Sequence, residues 1–389
     1  MAPLDLSSSA SDRDEWALLL ECASPVASSP RFAGLAGSAD WSRVFILAGE
    51  HGVLGHLAKR LCELGENLVP VEIRKELLES HRAQVFATLG MTAELFRLLE
   101  LFAVQDIPAL VVKGPVLAMQ AYGDPTMRSY GDLDLLVRQR DIRRATESLE
   151  ATGHQAAVPL SAIDAQRIPG QYLFANSDRN LLVELHNDFT LRYFPRRLPL
   201  DKLFERHILV GLDGHEAPTL AVEDHLVYIC VHGATHFWGR LSWIADVAAL
   251  VTRQADVDWQ KAMNTAKEMG AERMLHTGLR LASDLLQARL PDKVLKIVQN
   301  DTGAAKLAAH AQNWLNPDSK TSPTLFERAA FRLRMPGNIV AAPGYLLRLS
   351  FSPTEDDWLA DGEIKHNHLL EALRRPFRLA SKYGRGAKS

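Results

Sequence analysis

Cysteine is scarce in this chain: Cys22, Cys62 and Cys230 are the only three in 389 residues. They lie far apart, with neither a disulfide framework nor metal-ligand spacing, which excludes a cystine-stapled fold and fits a reducing compartment. No stretch approaches 18 uninterrupted apolar residues, so no transmembrane helix and no membrane partner is expected. The N-terminus lacks a basic segment running into an apolar one, so no signal peptide is visible and a cytoplasmic location is the expectation. Charge of one sign does not dominate either. Forty-four Lys and Arg against 47 Asp and Glu leave −3, which gives no global argument for a nucleic-acid or membrane surface. No repeat of fixed period is present. What remains is an ordinary folded composition, 47% hydrophobic and 23% charged, in a chain long enough for two or three domains.

Periodicity divides the chain in three. Asp12–Cys22 and Asp40–Leu64 read as helices, with Ser24–Ser38 a Ser-, Pro- and Gly-rich loop between them. Pro70–Val104 is a long helical stretch with a candidate break at Gly90. The texture then changes. Ala109–Lys113 is a short buried strand, Gly114-Pro115 follows at once, Val116–Tyr122 reads as a helix, and Asp132–Val137 is a second strand. Arg140–Gly153 reads as a helix ending in glycine. Tyr172–Ala175 and Leu181–His186 read as strands joined by the polar turn Asn176–Asn180. From Val222 the pattern is helical: Glu223–His236, Arg240–Arg253, Trp259–Met269, Glu272–Gln287, Pro323–Arg334 and Ile364–Tyr383, with loops at 336–343 and 352–358. The fold class is therefore α+β, a small mixed sheet of α/β type with flanking helices plus mainly α-helical N- and C-terminal regions. The expected division is 1–82, 83–215 and 216–389.

The segment Gly131-Asp132-Leu133-Asp134-Leu135-Leu136-Val137 carries the chemistry. In a strand, residues i and i+2 share a face, so Asp132 and Asp134 stand side by side while Leu133 and Leu135 enter the core. Neighbouring carboxylates repel and are costly to bury unless something positive lies between them. Oxygen ligands at this spacing suit Mg²⁺ (or Mn²⁺), which completes its shell with water and phosphate oxygens. That points to phosphoryl or nucleotidyl transfer. Upstream, Lys113-Gly114-Pro115 forms a tight strand-to-helix turn, where backbone N–H groups and a helix N-terminus favour phosphate. Lys113 and Arg128 would add positive charge there, although an exposed lysine in a plain Gly–Pro turn reads equally well.

A two-metal site needs a third acid. Glu184, within Leu181-Leu182-Val183-Glu184-Leu185-His186, is the candidate, the alternative being a strand acid on a solvated face. His186 shares its face and could orient Glu184, contact substrate, carry a proton or make a structural hydrogen bond. Further on, His232, His236 and Arg240 are spaced i, i+4, i+8 along one helix face. No acid or cysteine completes a zinc set there. Lining an acceptor pocket and packing between domains are the two readings left open. Residues 374–389 carry Arg374, Arg375, Arg378, Lys382, Arg385 and Lys388 without an acid. This tail reads as solvated, with contact to an acidic partner or nucleic acid as the alternative.

Taken together, Lys113-Gly114, Tyr122-Gly123-Asp124-Pro125, Arg128, Gly131–Val137 and Val183-Glu184-Leu185-His186 resemble the uncharacterised nucleotidyltransferase family of the polymerase-β-like superfamily. Glu223-Asp224-His225-Leu226 and His232-Gly233-Ala234-Thr235-His236 resemble its helical half. The resemblance implies transfer of a nucleoside monophosphate from an NTP, ATP being expected, to a hydroxyl or phosphate of a small molecule, peptide or protein, with release of pyrophosphate. It implies Asp132, Asp134 and Glu184 as catalytic and metal-holding residues, and Lys113, Gly114 and Arg128 at the nucleotide. One departure stands out: the superfamily has Gly-Gly or Gly-Ser where this chain has Gly114-Pro115. Two other readings stay open, a non-catalytic binding or scaffold protein on a degenerate transferase fold and a nucleotidyltransferase acting on tRNA or another RNA.

Overall fold

The computed structural model describes residues 13–26, 29–64, 69–164, 170–179, 181–188, 200–317, 323–336, 344, 347, 350–351 and 373–378. The expected loop at 352–358, most of the loop at 336–343, the turn residue Asn180, the tail residues Lys382, Arg385 and Lys388, and most of the Ile364–Tyr383 helix lie outside them. Helices α1 (Arg13–Ala23), α2 (Ser29–Ala36), α3 (Trp41–Glu50), α4 (Leu54–Leu64) and α5 (Val71–Val104) come first. The mixed part follows as β1 (Ala109–Val111), α6 (Gly114–Tyr122), β2 (Asp132–Val137), α7 (Ile142–Ala151), β3 (Gln155–Ala156), α8 (Leu160–Asp164), β4 (Gln171–Asn176), β5 (Leu181–His186), α9 (Leu200–Glu205), β6 (Ile208–Leu212) and β7 (His215–Thr219). Then come α10 (Val222–Thr235), α11 (Leu241–Arg253), α12 (Trp259–Met269), α13 (Glu272–Leu286), α14 (Asp292–Asn300), α15 (Thr302–Leu315) and α16 (Leu325–Arg334).

The strands form one mixed sheet of order β3-β4-β5-β2-β1-β7-β6. β2 and β5 run parallel and in register, with Asp134 opposite Glu184 and Leu136 opposite His186. Strand alternation sends opposite faces of this sheet to different cores. Leu133, Leu135 and Val137 of β2, with Val183 and Leu185 of β5, join Leu95, Leu98 and Phe102 of α5 and Leu149 of α7. The other face contributes Leu110, Val112 and Leu136 to a larger core. That core holds Leu18, Val44 and Leu57 of the early helices together with Leu226, Leu250, Leu279 and Leu307 of the late ones. Helices before and after the sheet thus pack against each other and roof one sheet face. Asp132, Asp134, Glu184 and His186 all lie on the roofed face.

Several elements depart from the sequence expectation. Ser29–Ala36 is helical rather than loop, because Phe32 and Ala36 bury on one side of it and Pro30 falls in a first turn, where its missing N–H is harmless. Asp40–Leu64 is two helices, broken at Gly52, whose φ is +68°. α5 runs through Gly90 unbroken: nothing lies within 4 Å of a Cβ built there, so the glycine costs only helix propensity. The hairpin β6–β7 went unread, although Asp213-Gly214 is a two-residue hairpin turn with both φ angles positive, 51° and 80°.

Candidate active site

β1 ends at Val111 and the chain turns through Lys113 and Gly114 into α6. Gly114 sits at φ +61°, a left-handed conformation that glycine adopts at little cost. Pro115 occupies the first turn of α6, where proline is favoured and its missing N–H would have no helical partner. The turn lies against β2: a Cβ at Gly114 would meet the Asp132 carbonyl at 4.0 Å, and the Val112 N–H donates to the Asp134 carbonyl at 3.1 Å. The glycine turn and the two aspartates are therefore one local structure.

Among the described residues, Asp134, Glu184 and His186 form the group able to hold a metal, with ligand atoms within 4.8 Å of one another. Asp134 is buried and its Oδ1 receives both Lys113 Nζ at 2.6 Å and His186 Nε2 at 3.0 Å. His186 Nε2 also lies 3.5 Å from Glu184 Oε2, which accepts from Gln171 Nε2 at 2.6 Å. Asp132 stands on the same strand face, half-buried. Burial raises its pKa, and the Asp134 and Glu184 carboxylates raise it further against the pull of Lys113. Three carboxylates and one imidazole thus share one electrostatic neighbourhood, with the ligand atoms of Asp134, Glu184 and His186 mutually close and Asp132 beside them on the same strand face.

Burial also opposes the charge on Asp134, but Lys113 and His186 outweigh it and hold the carboxyl far below its usual range. Burial works against the ammonium of Lys113 as well, yet Asp134 keeps it charged. For His186 burial is overcome by hydrogen bonds to Asp134 and Glu184, which lift its pKa to about 9. At neutral pH the ring is an imidazolium. Of the roles open to it from the sequence, accepting a proton is disfavoured, and clamping the two carboxylates fits.

Arg128 was expected at the triphosphate, and the structure commits it elsewhere. Its Nε donates to both Asp246 oxygens, at 2.8 and 3.0 Å, and its Nη1 to the Gly114 carbonyl at 3.4 Å. Tyr122 Oη donates to the same Asp246 at 2.9 Å. Arg128 therefore ties α11 to the glycine turn from behind.

Helix α10 forms the opposing wall. His225, Tyr228, His232 and His236, its cap, fall at i, i+3, i+7 and i+11, one face of a helix. His225 Nε2 meets the Val112 carbonyl at 2.8 Å. Tyr228 lies where Lys113, Asp134, Glu184 and Asp132 all act on it; burial and the carboxylates raise its pKa, so it keeps its proton. His232 is half-buried and His236 exposed at the rim. Their rings stand 4.6 Å apart, and each is 5.4 Å from Trp243. Burial and then Lys113 hold His232 neutral. Arg240, the α11 N-cap residue, is exposed nearby. Tyr228 and Gln171 were missed from sequence, because neither carries a spacing signal until the sheet and α10 face each other.

An uncharacterised nucleotidyltransferase family matches residues 37–287. That span takes in α3 to α9, every strand, and α10 to α13, and leaves out α1 and α2. The chain belongs to this family. No curated protein and no solved structure matches it. As a member of a nucleotidyltransferase family the protein is a transferase with an α+β fold, and the glycine turn, the aspartate pair and the α10 wall are family territory. No helix among the described residues is long and apolar enough to cross a membrane.

Proposed function

We propose that this nucleotidyltransferase is metal-dependent and moves a nucleoside monophosphate from an NTP, with ATP expected, to a hydroxyl or phosphate oxygen of its acceptor. The observation that carries the reading is the register of β2 and β5, which sets Asp134 beside Glu184 with Asp132 on the same face. Asp132, Asp134 and Glu184 would hold Mg²⁺ or Mn²⁺, which when bound neutralises phosphate charge and lowers the pKa of a coordinated oxygen nucleophile. The acceptor oxygen forms a bond to the α-phosphorus, the bond from that phosphorus to the bridging oxygen breaks, and pyrophosphate leaves with the electron pair. Glu184 receives the acceptor proton where the acceptor is a hydroxyl. Lys113 and the N–H groups at the start of α6 face the phosphates, and Gly114 lets that backbone come close. Pro115 narrows the phosphate grip by one N–H, and the Lys113 ammonium, paired with Asp134, offsets part of this. His186 as an imidazolium fixes Asp134 and Glu184 for their work, so catalysis is positioning and electrostatics.

Purified protein incubated with α-labelled ATP, Mg²⁺ and acceptor pools tests the reading. Label transfer with pyrophosphate release is expected, and its loss in Asp132→Asn. If nucleotide neither binds nor transfers, the catalytic reading is wrong and the scaffold alternative replaces it.

A further inference from the structure

Beyond the acids, the site rises along α10 to a rim built with some strain. After His236 the chain passes through Phe237 and Trp238 with φ of 59° and 55°. Two consecutive non-glycine residues in the left-handed region are strained and persist only where the surroundings impose them. Trp238 is fully buried, in a slot left by two glycines: a Cβ on Gly233 would lie 2.4 Å from its ring, and one on Gly278 2.8 Å. This anchor turns the chain so that Phe237 packs at the edge of the core against Trp314 and Phe331, where Arg332 lies over its ring at 4.9 Å and Arg328 at 5.3 Å. The result is a floor of three rings, His232, His236 and Trp243, with Arg332 and Arg240 near enough to His236 to act on its charge.

The charges there do not cancel. Those acting on His236 are Lys113, Arg332 and Arg240, against Glu184. Lys113 is already paired with Asp134. Neither Arg240 nor Arg332 has an acid partner among the described residues. His232 is neutral, so the floor itself offers ring faces and imidazole nitrogens rather than more charge.

Resting on the nucleotidyl-transfer reading, we propose that the acceptor is a small anionic molecule, bearing phosphate or carboxylate, whose anion is held by Arg240 and Arg332 above the His232–His236–Trp243 floor. Both arginines belong to the helical roof, on α11 and α16, whereas the glycine turn offered to the triphosphate belongs to the sheet. The nucleotide and the acceptor anion thus receive separate cations. Guanidinium forks match both oxyanion types, and the rings give the rest of the acceptor a flat surface.

Calorimetric titration of the full chain tests this, using inorganic phosphate, glycerol 3-phosphate and acetate, with glycerol as the uncharged control. Each titration is run with and without α,β-methylene ATP and Mg²⁺. At least one anion is expected to bind where glycerol does not. The double variant Arg240→Glu with Arg332→Glu should weaken that binding by about tenfold or more. The Lys-for-Arg pair should retain most of it, and affinity for the ATP analogue should change less than about threefold. Stronger binding of glycerol 3-phosphate than acetate assigns a phosphorylated acceptor, and the reverse a carboxylated one. No anion binding, or a tenfold loss of analogue affinity in the Glu variant, overturns the subsite. Failure of the analogue to bind the unaltered protein removes the nucleotidyl reading instead, a separate result from the anion titrations.

Discussion

Lys113 Nζ lies 2.6 Å from Asp134 Oδ1 at the buried foot of the site, where the two groups carry each other's charge. The pair joins the residue before the glycine turn to the central strand. Breaking such a pair leaves an uncompensated buried charge, typically at a cost of about 3 kcal/mol or more. Asp134→Asn should therefore unfold at markedly lower urea concentration than the unaltered protein. Lys113→Met combined with Asp134→Leu should recover most of that loss. A single-variant cost below about 1 kcal/mol would show the pair to be screened.

Asp132 predicts the opposite balance. It is half-buried and repelled by Asp134 and Glu184, so its charge weakens the fold rather than supporting it. Asp132→Asn should leave the unfolding midpoint unchanged or slightly raised. It should also lower Mn²⁺ affinity, read by electron paramagnetic resonance, and cut nucleotidyl transfer by roughly a hundredfold or more. A destabilised protein with unaltered Mn²⁺ binding contradicts this assignment.

These two aspartates were legible in the sequence because the strand period alone sets Asp132 and Asp134 on one face and Leu133 and Leu135 on the other. Glu184 was legible for the same reason. The company they keep was not. Lys113 and Arg128 read as two cations for one triphosphate, yet only tertiary packing reveals that Asp134 takes the first and Asp246 the second. Asp246 lies more than a hundred residues from Arg128 in an apolar helix, and no local spacing links them. The β6–β7 hairpin carried its signal in Asp213-Gly214, but β7 holds three charged or polar residues, His215, Glu216 and Thr219, beside Pro218, and read as loop. α14 and α15 are amphipathic stretches whose apolar faces acquire meaning only against α13.

The His186 imidazolium makes stability depend on pH in a definite direction. Its pKa rises from about 6.5 unfolded to about 9 folded, so the folded state binds the proton more tightly. The stabilisation is fully present below pH 6.5 and is lost as pH rises through 9. A shift of this size corresponds to an upper figure of about 3 kcal/mol. Urea midpoints of the metal-free protein should fall between pH 6.5 and 9, and His186→Gln should flatten that fall. With the metal held by Asp132, Asp134 and Glu184 and His186 kept as an imidazolium, binding of Mg²⁺ at pH 7.5 should release well under one proton, measurable by titrating in buffers of different ionisation enthalpy. Release of a full proton would show that the metal displaces the one on His186.

Arg128 and Asp246 supply a test that separates stability from nucleotide binding. Burial opposes both charges; Asp246 outweighs it for Arg128, whereas Arg128 and Tyr122 offset it only in part for Asp246, whose pKa stays raised. Asp246→Asn strips the fork of its counter-charge and should cost about 3 kcal/mol. The double variant Arg128→Leu with Asp246→Leu removes both charges and should restore much of the stability. It also removes the bond from Arg128 Nη1 to the Gly114 carbonyl, leaving the turn free to leave its φ of +61°. Affinity for α,β-methylene ATP should therefore stay several-fold weak in the double variant although the fold has recovered, because the phosphate-facing backbone has lost its brace. Recovery of both together would mean that the turn holds its own shape through Pro115 and the start of α6, with Arg128 acting on the fold alone.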